Sequence, residues 1–114
     1  IFDAAETKAG GLVRSVHPQA ELIGAARALA REIADNTSAI SVAMTRAMMW
    51  RLPAGDHPMH AHRIDSRAIY RLSRGADAKE GIASFLEKRN PAYPGKVSAD
   101  MPDFYPWWDA AEYR

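Results

Sequence analysis

The densest group of residues with metal-binding or acid–base potential lies between positions 56 and 65. It consists of Asp56, His57, His60, His62 and Asp65. Imidazole and carboxylate groups are common ligands of divalent transition metals. A helix, however, places residues three or four apart on one face, so it cannot aim all three histidines at one point. The stretch also lacks the H-E-x-x-H pattern of zinc hydrolases. We therefore predict no metal site here and interpret the group as the polar start of a helix.

The other reactive residue types do not form a catalytic pattern either. Glu80 follows Asp77 at the spacing of a capping box, which favours a structural role. The sequence has no cysteine, which excludes disulfides, thiolate metal sites and cysteine nucleophiles. A cluster of methionine and tryptophan at helical spacing is more typical of a core or a subunit interface than of a cofactor site; it comprises Met44, Met48, Met49 and Trp50. We predict no catalytic residue within this sequence.

Length and charge limit the class of protein. The 114 residues allow one small domain, and the formal net charge is +1. Such a small charge argues against a protein that binds nucleic acid by neutralising many phosphates. The apolar stretches are too short and too often interrupted to span a membrane. The absence of cysteine is compatible with a reducing cytoplasm, where we expect the protein. Because the sequence starts at Ile1 without an initiator methionine, we expect a segment of a longer protein or a processed product.

The spacing of apolar residues and of helix-ending residues predicts an all-α fold with three to four main helices. A short helix capped by Asp3 and ended by the glycine pair at 10–11 precedes them, followed by a brief extended segment at 11–16. The main helices are expected to start near Pro18, at Thr37 or Ser38, at Asp56 and at Asp77.

Each main helix has a predicted apolar face. For the last three helices the faces comprise Ile40, Ala43, Met44, Ala47 and Met48; Ala61, Ile64, Ala68, Ile69 and Leu72; and Ile82, Phe85 and Leu86. We predict a helical lobe over residues 1–95. Residues 96–114 form an arm rich in proline and aromatic residues that packs on the lobe or on a neighbouring subunit, since large rings bury considerable apolar area.

Three stretches of the sequence match motifs of one known family. Residues 2–16 are similar to an A-x-E-A-x-x-x-G-L-V-x-x-V segment, with Thr7 in place of its second alanine. Residues 22–38 are similar to an A-x-x-I-A-x-N-S-P step between helices, with Thr37 and Ser38 replacing its serine and proline. Residues 77–93 are similar to a closing E-G-x-x-A-F-x-E-K-R-x-P-x-F. In this order and spacing, the sequence resembles the carboxy-terminal region of the enoyl-CoA hydratase/isomerase (crotonase) family.

The resemblance implies that the parent protein acts on acyl-CoA and that this segment contributes to its structure but not to its catalytic centre. Members of the family bind acyl-CoA thioesters as substrates, without a further cofactor. They stabilise an enolate oxyanion with two backbone N–H groups, and in hydratases and isomerases carboxylates add the acid–base chemistry. Those elements belong to the family's amino-terminal core, so this lobe is expected to be inactive alone. The positions matching Phe85 and Lys88 lie near the adenosine and phosphate end of CoA, where Phe85 would form an apolar wall and Lys88 a point charge.

The resemblance also implies a homo-oligomer, either a trimer or a dimer of trimers, to which this lobe contributes contacts. We expect apolar surface around Leu12, Val13, Met44 and Met48 to be partly uncovered and to find a partner. The reaction within the family stays open, since the family also contains isomerases, dehalogenases, decarboxylases and hydrolases. An alternative is a non-catalytic helical oligomerisation or interaction module.

Overall fold

The computed structural model describes residues 1–53, 55–109 and 112. These residues form five α-helices and no β-strand, which confirms the all-α class. Within the segment at 11–16, predicted to be extended, Gly11 lies in a turn and residues 12–14 form bends, and no strand forms. No helix among the described residues is long and apolar enough to cross a membrane. The helices are α1 (Ala4–Ala9), α2 (Gln19–Asn36), α3 (Ala39–Arg51), α4 (Pro58–Leu72) and α5 (Ala76–Glu87).

The chain divides into two compact units, Ile1–Asp35 and Asn36–Arg114. In the first unit, the Asp3 carboxylate accepts a hydrogen bond from the Glu6 N–H, and the Glu6 carboxylate accepts one from the Asp3 N–H. This reciprocal capping box starts α1 where the sequence predicted it. None of the residues 1–35 is buried, although α2 carries the predicted apolar stripe.

The core of the second unit lies between α3 and α4. Ser38 caps α3, as predicted, by accepting a hydrogen bond from the Ser41 N–H at 3.2 Å. Met44 is only 1% exposed and forms a buried cluster with Ile40 and Ala68. The expectation that Met44 would be partly uncovered is therefore wrong. Half-buried side chains from α4 and from the C-terminal segment pack against the cluster: Leu72, Met101, Phe104, Tyr105 and Trp107.

Two helix starts differ from the sequence prediction. The N-cap of α4 is His57, whose Nδ1 accepts a hydrogen bond from the Met59 N–H at 3.0 Å, and not Asp56. Helix α5 begins after Gly75, so Asp77 lies inside its first turn and forms no capping box with Glu80. The reason is that both carboxylates are engaged with residues distant in sequence.

The predicted apolar face of α5 points away from the chain's own core. Ile82, Phe85 and Leu86 are exposed, whereas Ser84 is buried. The small residues of α5 face the chain that returns after Pro91: a Cβ added at Gly81 would lie 3.4 Å from the hydroxyl oxygen of Tyr93. Because the side chains on this face of α5 are small, the returning chain can approach the helix closely. The large apolar side chains of α5 remain exposed to solvent. Ile69, on the predicted inner face of α4, is likewise exposed.

Two arginines contact the aromatic residues of the C-terminal segment. The guanidinium of Arg67 lies 4.3 Å from the ring centre of Phe104, and that of Arg51 lies 4.7 Å from the ring centre of Trp108. Such cation–π contacts supplement the apolar packing. The predicted division into a lobe (1–95) and an arm (96–114) stays a prediction. Positions 110, 111, 113 and 114 of the arm lie outside the described residues.

Candidate functional site

Phe85 and Lys88, the two residues predicted to contact CoA, lie side by side at the end of α5. The ammonium nitrogen of Lys88 is 4.4 Å from the ring centre of Phe85, and Phe85 is 70% exposed. Lys88 ends the helix in the left-handed conformation, with φ 56° and ψ 37°. Residues other than glycine, asparagine and aspartate rarely adopt this conformation. The result is an accessible aromatic ring with a cation above it.

A carboxylate clamp fixes the turn that follows Lys88. Arg89 donates to both oxygens of Glu80, from Nη1 to Oε1 at 2.5 Å and from Nη2 to Oε2 at 2.9 Å. The Ala92 N–H donates to Glu80 Oε1 at 2.6 Å, and Arg89 Nε donates to Glu87 at 2.6 Å. The paired arrangement of guanidinium and carboxylate has little freedom to rotate. Sequence reasoning missed this role of Glu80 because Arg89 lies nine positions away.

The clamp has a pH dependence with a defined sign. The hydrogen bond from Arg89, followed by the one from the Ala92 N–H, lowers the pKa of Glu80 from 4.5 to about 2. Protonation therefore favours the unfolded chain, in which the carboxyl group has its ordinary pKa. The stabilisation is present above pH 4.5 and is lost as the pH falls from there to about 2.

Replacing Glu80 by glutamine is expected to lower the free energy of unfolding at pH 7 and to flatten its decline in that acid range. The amide carries no charge, so it cannot form the ion pair or titrate. Urea unfolding at a series of pH values measures both effects. Asp103→Asn is the control, because this exposed carboxylate pairs with no described residue. An equal acid slope in the Glu80→Gln variant and the original chain would contradict the role of the clamp.

A second carboxylate, Asp77, ties three segments of the second unit together. Its Oδ2 accepts a hydrogen bond from the Ser38 hydroxyl at 2.5 Å, and its Oδ1 accepts one from the Gly95 N–H at 2.8 Å. The start of α3, the first turn of α5 and the chain at 93–95 therefore converge on one side chain. They border an open cleft of about 800 Å³, which Ile40 and Met44 also line.

The histidines of residues 56–65 do not form a common site. His57 caps α4, while His60 and His62 are exposed on the same helix. The residues that the structure describes contain no group of three histidine, cysteine, aspartate or glutamate side chains able to hold a metal ion. The methionine and tryptophan cluster is also divided, with Met44 buried and Met49 and Trp50 exposed.

Helix α5 thus ends in a cation–aromatic pair, and the clamp between Glu80 and Arg89 fixes the turn that follows. Both features lie within residues 77–93, the third stretch that resembles the family. Residues 1–96 match the family model described as enoyl-CoA hydratase/isomerase. This match covers well over half of the chain, and the chain belongs to the enoyl-CoA hydratase/isomerase family.

Individual relatives agree with the family match. The chain is 42% identical over 65 residues to the enoyl-CoA hydratase AFT3-1 of Alternaria alternata, which is 57% of this chain and 21% of that protein. It is 35% identical over 79 residues to the enoyl-CoA hydratase ACTT3 of the same organism, covering 69% of this chain and 26% of that protein.

A solved structure has the same fold over most of the chain. This structure, of a probable enoyl-CoA hydratase/isomerase from Mycobacterium abscessus, superposes with a TM-score of 0.76 at 28% identity, over 83% of this chain. The match covers 37% of that protein. The chain therefore spans well under half the length of these relatives.

Proposed function

We propose that this chain is the carboxy-terminal helical lobe of a cytoplasmic acyl-CoA hydratase or isomerase in fatty acid metabolism, inactive by itself. The observation that carries the proposal is the match of residues 1–96 to the family, together with the adjacent placement of Phe85 and Lys88. The parent enzyme hydrates or isomerises an enoyl double bond through a stabilised enolate. This lobe supplies oligomer contacts and a share of the CoA site.

The chemistry of the α5 end fits the nucleotide end of CoA. An exposed phenylalanine ring offers a flat apolar surface against which an adenine can pack. A lysine ammonium is a compact charge with three donors, suited to a phosphate. The clamp between Glu80 and Arg89 satisfies the neighbouring arginine internally, which leaves Lys88 as the cation available to a ligand at this turn.

The exposed apolar stripe of α5 supports a role in assembly. Ile82, Phe85 and Leu86 lie three and four residues apart and are exposed together on one helical face. Contiguous exposed apolar surface typically marks an interface. We assign Ile82 and Leu86 of this stripe to contacts between subunits of a trimer or a dimer of trimers, while Phe85 serves the CoA site. The same stripe favours the second candidate function, a helical oligomerisation module without a catalytic partner.

A hybrid enzyme tests the proposal. The matching segment of the Mycobacterium abscessus protein is replaced by this chain, and hydration of crotonyl-CoA is measured for the hybrid and for the chain alone. We expect activity from the hybrid and none from the chain. Lys88→Gln should raise the KM for crotonyl-CoA about tenfold, the loss of one charge-assisted contact to phosphate, with little change in kcat.

The matched control is Lys79→Gln, which removes an exposed lysine from the same helix. Glutamine is chosen at position 88 because glycine would also relax the left-handed backbone there. Hydration of crotonyl-CoA by the chain alone would refute the claim of inactivity. An unchanged KM for the Lys88→Gln hybrid would refute the CoA contact, and a hybrid that oligomerises without activity would favour the interaction module.

A further inference from the structure

A second cavity of the Asn36–Arg114 unit lies between α3 and the C-terminal segment, away from Phe85 and Lys88. Its volume is about 540 Å³, within the usual range of small-molecule sites, about 300–1,000 Å³. It is lined by Ala43, Arg46, Ala47, Trp50, Arg51, Val97, Tyr105 and Trp108. Neither the family motifs nor the proposed CoA contact uses this cavity.

One face of α3 supplies the floor of the cavity. Ala43, Arg46, Ala47 and Trp50 are spaced three, four and seven residues apart, which places them on the same helical face. The two alanines leave room above the helix backbone. Trp50 lines the cavity and is 76% exposed, so its indole ring is accessible to a ligand. The floor therefore combines free space with a large ring at its edge.

The opposite wall is aromatic and mutually packed. The ring of Trp108 lies 5.3 Å from that of Tyr105 at 90° and 4.8 Å from that of Trp107 at 85°. Edge-to-face pairs of this kind are favourable arrangements for aromatic side chains. Arg51 lies over the face of Trp108, at 4.7 Å from the ring centre. A stacked guanidinium keeps N–H donors at its edge, where a phosphate can accept two of them.

The charge of the cavity is uncompensated. No ion pair joins Arg46 or Arg51 to a carboxylate anywhere in residues 1–53, 55–109 or 112. Two guanidinium groups beside the exposed indole ring of Trp50 suit a ligand that carries a flat ring and an anionic group. We propose that this cavity binds a nucleoside phosphate, with the base against Trp50 and the phosphate on Arg46 and Arg51.

Calorimetric titration of the chain with ADP tests the proposal, with adenosine and pyrophosphate as the two halves of the probe. We expect ADP to bind at least about tenfold more tightly than either half, because ring and phosphate contacts add. Arg46→Gln and Trp50→Leu should each weaken ADP binding about tenfold. Both side chains are exposed, so the variants should keep the circular dichroism spectrum of the original chain. Arg63→Gln, an exposed arginine outside the cavity, is the matched control.

Three results would overturn the assignment. They are ADP binding no more tightly than pyrophosphate, ADP binding unchanged in both the Arg46→Gln and Trp50→Leu variants, and ADP binding that is lost in Lys88→Gln instead. The last result would place the nucleotide at the end of α5, and so separates this proposal from the CoA contact. A parallel titration with CoA identifies the source of the nucleotide. If Trp50→Leu weakens CoA as much as ADP, the cavity holds the coenzyme's nucleotide end; if it weakens ADP alone, the cavity holds a free nucleotide.

Discussion

Replacing Met44 by alanine is expected to destabilise the second unit by about 2–5 kcal/mol, the usual cost of truncating a large buried side chain. Met44 is 1% exposed and lies at the centre of the cluster with Ile40 and Ala68. The loss combines the transfer energy of the removed atoms with the cost of the cavity that they leave. Since a small domain has a total stability of only about 5–15 kcal/mol, the variant should be close to unfolding at moderate temperature.

Urea unfolding followed by tryptophan fluorescence measures this loss. All three tryptophans of the sequence, at positions 50, 107 and 108, lie in the second unit, and Trp107 packs against the Met44 cluster. Met49→Ala is the matched control, since Met49 is on the same helix and is 70% exposed. We expect the control to change the free energy of unfolding by less than about 0.5 kcal/mol. Equal losses from the two substitutions would contradict the position of Met44 in the core.

The helical periodicity of the sequence identified the face of α3 that forms the core of the second unit, although Met44 on that face was wrongly expected to be partly uncovered. Ile40, Met44 and Ala47 repeat at the spacing of one helical face, and all three are buried. Hydroxyl caps are equally local signals, and Ser38 caps α3 as expected. Features set by residues close in sequence were therefore predictable, because a helix fixes their relative positions.

The packing of α5 was not predictable in the same way. Its periodicity correctly identified a helix with an apolar stripe, but periodicity does not say whether that stripe faces the chain's own core or a partner. The outcome depends on Tyr93, which approaches Gly81 from a segment that has no regular period of its own. This close approach is a tertiary contact, which the periodicity of a single helix does not show. It leaves Phe85 exposed, as a ligand or subunit contact requires.

The candidate site was predictable to a similar extent. The family motif identified Phe85 and Lys88 by resemblance, and the geometry of the helix end brings them together. The clamp and the hydrogen bonds of Asp77 were missed, because each joins residues separated by at least nine positions. The local spacing of Asp77 and Glu80 predicts a capping box instead. A carboxylate at a capping position can accept a hydrogen bond from the local backbone or from a donor distant in sequence. The sequence pattern shows only the local donor.

The hydrogen bonds of Asp77 leave no room for a side chain at position 95. A Cβ atom there would lie 2.5 Å from Asp77 Oδ2 and 2.6 Å from Ile40 Cδ1, closer than real Cβ contacts allow. The carboxylate is held by Ser38 and the Ile40 side chain is buried in the core, so neither can move without cost. Gly95→Ala is therefore expected to destabilise the second unit by about 1–3 kcal/mol, as other overpacking substitutions do.

Gly24→Ala is the matched control for the same chemical change. Gly24 lies within α2, and a Cβ atom there meets nothing within 4 Å. Because alanine favours helix more than glycine does, this substitution should stabilise the helix by up to about 1 kcal/mol, measured by circular dichroism. Gly95→Ala is thus expected to lower stability and Gly24→Ala to raise it.

A double-mutant cycle identifies the cause of the Gly95 effect. If the collision with Asp77 dominates, Gly95→Ala should lower the free energy of unfolding by clearly less in a chain that already carries Asp77→Ala, because the colliding carboxylate is absent. If the contact with Ile40 dominates, Gly95→Ala should lower the free energy of unfolding equally in the original chain and in the Asp77→Ala variant. A Gly95→Ala variant as stable as the original chain would show instead that the segment at 93–95 can move away from α3 and α5, and that Asp77 does not hold it.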